Sequence, residues 1–301
     1  MENQEKKKNR FEEKKEAREE AIASYDLSKL SKPVNDVETS GPKKMKNFDL
    51  WPTWKSTLVG LAGIIAVIIA WSIYAFICEK NGETSWLSSP WGVCNTFVET
   101  VQNGVLWKHL SFSMQRIIIG YLLALITSIP VAFVMAWYKP FRAFFDPFIQ
   151  FMRCIPPIAY VPVVVADMGV GETPKYFIIW LAVFLTMTVT IYQGVRNVDL
   201  TLVKAAYTFG ARDKDLFSGV IVPSAFPFIL TAMRLGVGAA MTTLVAAELT
   251  GAMYGLGSFI NSQGTNLEMD YAIMGIIVLG LFGIFFDKVL LIVEKRLTRW
   301  K

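Results

Sequence analysis

One histidine, His109, and three cysteines, Cys78, Cys94 and Cys154, are all the chain offers toward soft metal ligands. The cysteines share no metal-type spacing and the histidine has no acidic or cysteine neighbour, so no metal site is expected. A Cys78–Cys94 disulfide stays open as a possibility, whereas Cys154 falls inside an apolar segment. An intramembrane enzyme needs paired groups at depth, such as two aspartates, a Ser/His pair or a metal cluster, and the chain has no such pairing. It also lacks a Gly-x-x-x-x-Gly-Lys-Ser/Thr loop, so it has no usual phosphate cradle for ATP, and no bound cofactor is expected. Charge is scarce as well, at 18% of residues against 53% hydrophobic, and mean hydropathy is +0.40. The formal charge of +5 is not gathered into a basic stripe with interleaved aromatics, which excludes a nucleic-acid partner.

What the chain has in abundance is apolar length. A membrane-spanning helix takes about 20 mostly apolar residues. Uncharged runs of that order lie at residues 56–78, 117–138 and 176–195, and three more, at 143–166, 224–247 and 271–293, are interrupted by a charge or a proline. The expectation is an all-α membrane protein with about six transmembrane helices. The first run begins too far from Met1, and is too long, for the core of a cleavable leader, so it is expected to stay as an anchor.

The cations then set the orientation. Lys43, Lys44, Lys46 and Lys55 precede the first run, Lys139 and Arg142 follow the second, Lys204, Arg212 and Lys214 follow the fourth, and Lys295, Arg296, Arg299 and Lys301 end the chain. The alternate connections hold few cations besides Lys80, Lys108 and Lys175, and carry Asp167, Glu172, Glu268 and Asp270. Positive charge gathers on the cytoplasmic side, which puts both termini in the cytoplasm. Residues 1–49 form a mixed-charge tail without a sustained apolar stripe, expected to be mostly disordered, and residues 50–301 form the transmembrane domain.

After the first run, Ser88-Ser89-Pro90 has the composition of a helix start. The periodic Val93, Phe97, Val101 and Val105 predict an amphipathic helix at the interface, with Trp86, Trp91 and Trp107 at headgroup level.

Residues 202–223, LVKAAYTFGARDKDLFSGVIVP, are a polar interruption between two apolar segments. Good helix formers run to Phe209, Gly210 breaks them, and Arg212-Asp213-Lys214-Asp215-Leu216-Phe217 resumes a helical pattern that Pro223 is expected to stop. Two short helices meeting at a glycine corner would offer a surface that is partly small and partly charged. The spacing Lys204-Ala205-Ala206, three residues, Gly210, nine residues, then Val220-Ile221-Val222-Pro223 resembles the EAA loop of ABC importer permeases. In that family the loop is a coupling helix seated in a groove of a separate cytoplasmic ATPase. The resemblance implies a type I ABC importer permease-like fold and a coupling loop at 197–223. It implies ATPase-coupling roles for Lys204, Ala205, Ala206, Gly210, Ala211, Asp213, Leu216 and Pro223. Lys204 stands where the family pattern has Glu, which reverses one contact charge.

The order Trp107, His109, Ser113, Arg116, Gly120 and Pro130 is similar to the sulfonate/taurine/nitrate branch of these permeases. So is Arg153-x-Ile155-Pro156-Pro157 with Gly169-x-Gly171-Glu172 after it. In Gln150-to-Pro162 three prolines interrupt the helix, and Arg153 is expensive in lipid. Freed backbone groups at membrane depth face protein or a water-filled cavity, so Arg153, Pro156 and Pro157 are candidates for a translocation path. Arg234 and Glu248 are further candidates. Arg153 could instead pair with a carboxylate or a helix-end carbonyl, and Glu248 with Arg116 or Arg153. Gly236, Gly238, Ala239 and Ala240 would let helices approach closely.

The resemblance therefore implies the permease subunit of an ATP-driven importer for a small anionic solute such as a sulfonate, taurine, nitrate or bicarbonate. Its partners would be a cytoplasmic ATP-binding cassette subunit, an extracytoplasmic solute-binding protein, a second permease copy and the lipid bilayer. The competing class is an ATP-independent secondary transporter or channel. Such proteins usually show repeated halves with matching broken helices, and no such repeat is visible.

Overall fold

The computed structural model describes residues 53–81 and 88–297. The charged tail at 1–49, Trp86, Arg299 and Lys301 lie outside the described residues. The described residues divide into two compact units between residues 63 and 64. The first contributes the opening turns of helix α1 (Thr53–Asn81), where the Lys55 ammonium lies 5.5 Å from the centre of the Trp54 ring.

The second unit is all-helical among the described residues. After α1 come α2 (Pro90–Gln102), α3 (Val105–Trp137), α4 (Lys139–Cys154), α5 (Pro157–Met168) and α6 (Thr173–Arg196). Then follow α7 (Leu200–Thr208), α8 (Asp213–Leu216), a π-helical turn (Phe217–Ile221), α9 (Val222–Glu248), α10 (Leu256–Thr265) and α11 (Met269–Leu297). Among the described residues five helices are long and apolar enough to cross a membrane, or six if the bent pair α4–α5 counts as one span. The expected run at 143–166 is thus two helices meeting at 102° rather than one rod. The break falls at Ile155-Pro156, where two successive prolines remove two backbone donors. Tyr160 fixes the bend by donating its hydroxyl to the Met152 carbonyl at 2.8 Å.

α6 is the centre of the bundle. Of its most apolar stretch 61% is buried, against 11% in α11. It packs between α3 and α9, with Ile179, Val183, Met187 and Ile191 fully enclosed. Small residues set how close these helices come, though not all of those expected. A methyl group on Gly194 would lie 2.2 Å from Phe228 Cβ, and one on Gly120 would lie 2.7 Å from Ile179 Cγ2. Gly236 faces the flexible end of Met187, while Gly238 has open space around it.

A smaller cluster joins α2, α3, α10 and α11 through Val93, Leu106, Leu256, Phe259, Met274 and Val278. Ser89 caps α2 by accepting from the Gly92 amide at 3.1 Å, and Pro90 opens it as expected. The buried face of α2 is Val93, Thr96 and Thr100, whereas Phe97 and Val105 of the expected stripe are exposed. The face is turned because α2 packs on α11, and the two threonine side chains can be enclosed there when their hydroxyls bond back to the helix, as Thr100 does to Thr96. Cys78, Cys94 and Cys154 are all free thiols.

Candidate functional site

The polar corner at 200–216 is built as its local chemistry dictates. Asp199 caps α7, its carboxylate accepting from the Thr201 amide at 2.8 Å, a bond that also lowers its own pKa. The helix ends in a Schellman cap, with the Gly210 amide on the Tyr207 carbonyl at 2.9 Å and the Ala211 amide on the Ala206 carbonyl at 3.0 Å. Gly210 takes φ +80° there, the left-handed region that glycine enters without penalty. Across the corner the Tyr207 hydroxyl donates to Asp213 at 3.1 Å. Lys204, Ala205, Gly210 and Asp213 are exposed, Ala206 and Ala211 are half-buried, and Leu216 is buried in the core.

Pro223 does not stop the second helix. From Asp213 to Glu248 the chain is one 36-residue helical span with Pro223 at the start of α9. The π turn carries the chain into it, the Val222 amide reaching back to Phe217. Pro223 itself has no amide, so the first turn of α9 is a position where that donor is not needed. The rod thus runs from the exposed corner into the bundle without a break.

Farther along the same rod, Ala239, Thr242 and Thr243 wall a cavity of about 170 Å³ together with Arg153, Pro157 and Tyr160. Pro156 and Pro157 face an adjoining cavity of about 270 Å³ that Thr242 also lines. Arg153 stands in the last turn of α4 and makes no ion pair among the described residues. Neither Arg234 nor Glu248 lines either cavity. Arg234 is instead held by α11, with Asp287 at 3.1 Å and Glu294 at 3.6 Å. Asp287 lies about three turns and Glu294 less than one turn from the end of α11, and Asp287 is 53 residues from Arg234 in the chain, so no local spacing pointed to the pairing.

Glu248, at the far end of the rod, belongs to a buried ion network. Arg116 of α3 donates to it at 2.8 Å, and to Glu172 through Nε at 2.6 Å and Nη2 at 2.8 Å. Ser113 donates to Glu248 at 2.7 Å, and the Gly257 amide does so at 2.6 Å. The Arg116 guanidinium also reaches the Tyr254 carbonyl at 2.7 Å, and Lys175 bonds Glu172 at 3.1 Å. Of the two partners left open for Glu248, Arg116 is therefore the one it meets. The network ties α3, the α5–α6 connection, α9 and the loop before α10 into one body. Glu172 lies outside the spans, and the Arg116 guanidinium is the first cause of its lowered pKa, with Lys175 adding to it. His109 is a structural neighbour of this network, its Nδ1 2.8 Å from the Gly255 carbonyl and its ring packed on Tyr254 and Phe259.

Sequence reasoning missed Glu172, Lys175, Tyr160 and Thr243 as participants. Glu172 follows two glycines and could have been flagged as an acid held near a span end, but nothing local distinguishes Thr243 from the other helical threonines.

Residues 117–299 match the family described as the binding-protein-dependent transport system inner membrane component. A probable ABC transporter permease of Brucella abortus (strain 2308) is 39% identical over 215 residues, covering 71% of this chain and 86% of the relative. The taurine transport system permease protein TauC of Escherichia coli (strain K12) is 37% identical over 255 residues, 83% of this chain and 92% of the relative. An aliphatic sulfonates transport permease, SsuC of Bacillus subtilis (strain 168), so named putatively, is 29% identical over 248 residues, 82% of this chain and 88% of the relative. Among solved structures, a chain of an amino acid ABC transporter superposes with a TM-score of 0.56 at 16% identity, covering 66% of this chain and 98% of that one. A chain of the inward-facing MetNI methionine ABC transporter gives 0.54 at 14% identity, covering 66% and 96%. The fold, the apolar spans and the match over most of the chain agree: the protein belongs to the inner-membrane components of binding-protein-dependent transport systems, the multi-pass permeases of ABC transporters.

Proposed function

We propose that the chain is the translocating subunit of an ATP-driven importer for a small anionic solute of the sulfonate and taurine kind. One observation carries the reading. A single helical rod, Asp213–Glu248, bears the exposed Gly210 corner at one end and walls the Arg153 cavity with Ala239, Thr242 and Thr243. At 1.5 Å per residue the two features lie about 40 Å apart along a stiff element. A partner that moves the corner therefore moves the cavity wall.

In this reading the corner at 197–223 faces the cytoplasm with both termini and seats on a separate ATP-binding cassette subunit. Closure of the ATPase dimer draws two such corners together, and the rods convert that motion into an inward-to-outward switch. A second permease copy completes the path, and an extracytoplasmic binding protein delivers the solute. The names of the taurine and sulfonate relatives support the solute class, and the unpaired Arg153 supports its charge.

The test is uptake of radiolabelled taurine by proteoliposomes holding the full chain with its ATPase and binding protein. Uptake should require ATP inside the site of hydrolysis and should persist when ion gradients are collapsed. Uptake that continues without nucleotide and stops when the gradient collapses would replace the importer with a secondary transporter.

A further inference from the structure

We infer that the permease carries its own oxyanion subsite, formed by Arg153, the hydroxyl of Thr243 and the N-terminus of α5. The inference rests on the importer reading and deepens it, since it places charge selection in this chain as well as in whatever delivers the solute.

Three independent features converge on the cavity of about 170 Å³. The first is a guanidinium without a counter-ion: Arg153 lines the cavity and makes no ion pair among the described residues, whereas Arg116 and Arg234 each hold two carboxylates. A guanidinium presents a planar fork of donors suited to an oxyanion.

The second is a hydroxyl without a partner. Thr242 donates to the Ala239 carbonyl at 3.0 Å and Thr186 to the Ala182 carbonyl at 2.9 Å, the ordinary way for a helical threonine to satisfy itself. Thr243 lines the same cavity, is 1% exposed, and leaves its Oγ1 unpartnered. A buried hydroxyl with no partner is costly unless something else supplies one. Thr188 is also enclosed and unpartnered, but it does not line the cavity.

The third is the break itself. α5 starts afresh at Pro157 after a 102° bend, and its N-cap, Pro156, provides no side-chain bond to the first amides. Pro157 in that first turn lines the cavity; it has no amide hydrogen and the Ala159 amide is taken by the Pro156 carbonyl at 2.9 Å, so the break brings the positive end of the helix dipole, not a backbone hydrogen bond, beside Arg153. Broken helices in membrane transporters aim such ends at anionic groups. Ile155, Ile178, Leu181 and Leu185 give the cavity an apolar wall as well, which suits a short carbon chain behind the charged head. The volume is far above the ~10–15 Å³ that one water needs on the same measure. The ligand class is accordingly a small organic oxyanion with a compact apolar body.

The experiment is calorimetric titration of ethanesulfonate into the full chain held with its ATPase in nanodiscs, without any binding protein. Ethyl methyl sulfone, neutral and of similar shape, is the control. The wild type should bind ethanesulfonate and not the sulfone. Arg153→Gln and Thr243→Val should each weaken binding by about tenfold or more, the scale of a lost charge-assisted hydrogen bond, while Thr243→Ser should restore it. Where Arg153→Gln does not assemble, the Thr243→Val and Thr243→Ser pair decides alone. Equal binding of the sulfone, no measurable binding of ethanesulfonate, or binding unchanged in Thr243→Val overturns the subsite. An assembled complex that hydrolyses ATP but gives any of those results leaves the importer reading standing. A chain that brings down no ATPase defeats the importer reading instead, and ethanesulfonate binding that still falls in Thr243→Val would uphold the subsite on its own.

Discussion

Arg116 and Glu248 meet at 2.8 Å with side chains 2% and 0% exposed, joining α3 to the end of α9 inside the protein. Breaking a buried pair by removing one member costs about 3–5 kcal/mol, because the other charge stays enclosed. Arg116→Leu removes the cation from between two carboxylates, and a loss in that range is expected. Glu248→Gln should cost less, since Arg116 keeps Glu172 at 2.6 Å and the amide oxygen still accepts from Ser113. Thermal unfolding followed by size-exclusion in detergent would rank the two. The double variant Arg116→Leu with Glu248→Leu should be less damaging than the sum of the single changes.

Glu172 supplies the pH dependence of the same network. Its pKa is lowered chiefly by the Arg116 hydrogen bond, so its stabilisation is present above the unfolded value of about 4.3 and is lost as pH falls through the lower folded value. Melting temperature should therefore fall on acidification below about pH 4.3, and Glu172→Gln should flatten that fall while lowering the plateau at neutral pH. The carboxylate is 41% exposed, which keeps the effect modest. An unchanged acid limb in Glu172→Gln would assign the dependence to other groups.

Helix approach gives a sharper contrast. A methyl on Gly194 would lie 2.2 Å from Phe228 Cβ, an atom fixed close to the α9 backbone, whereas one on Gly238 meets nothing within 4 Å. Gly194→Ala should destabilise by about 1–3 kcal/mol through overpacking, and Gly238→Ala should be near neutral in the isolated chain. Comparing their melting temperatures in detergent tests the packing directly. A Gly238→Ala protein that melts as early as Gly194→Ala would mean that Gly238 is covered by a second copy.

The elements visible in the sequence are those whose physics is local. Apolar length marked the spans, Gly210 marked the end of α7, and the paired prolines at 156 and 157 marked the break in the third span. What stayed hidden depends on distant partners. Arg116 was one of two partners open for Glu248, but they are 132 residues apart in the chain and Glu172 is 56 from Arg116, so no spacing rule chose between the partners or pointed to Glu172. Pro223 misled because a proline after a helical pattern ordinarily ends it, and only the π turn before it lets the rod continue. Gly194 was passed over because its role is set by Phe228 on another helix.

Gly210 tests the docking corner without touching the core. A Cβ on Gly210 would meet nothing within 4 Å in this chain. The constraint is therefore on the backbone, where φ +80° closes the Schellman cap. Gly210→Ala should cost about 1–2 kcal/mol of that geometry, Gly210→Asn less, and Gly210→Val more, since branching at Cβ is least compatible with a left-handed residue. All three proteins should remain membrane-inserted and monodisperse, because the corner is exposed. If the corner seats an ATPase, the amount co-purified with the tagged chain should fall in the order Gly, Asn, Ala, Val. Equal recovery across the series would mean that the ATPase does not depend on the shape of this corner, and the coupling role would have to lie elsewhere on the chain.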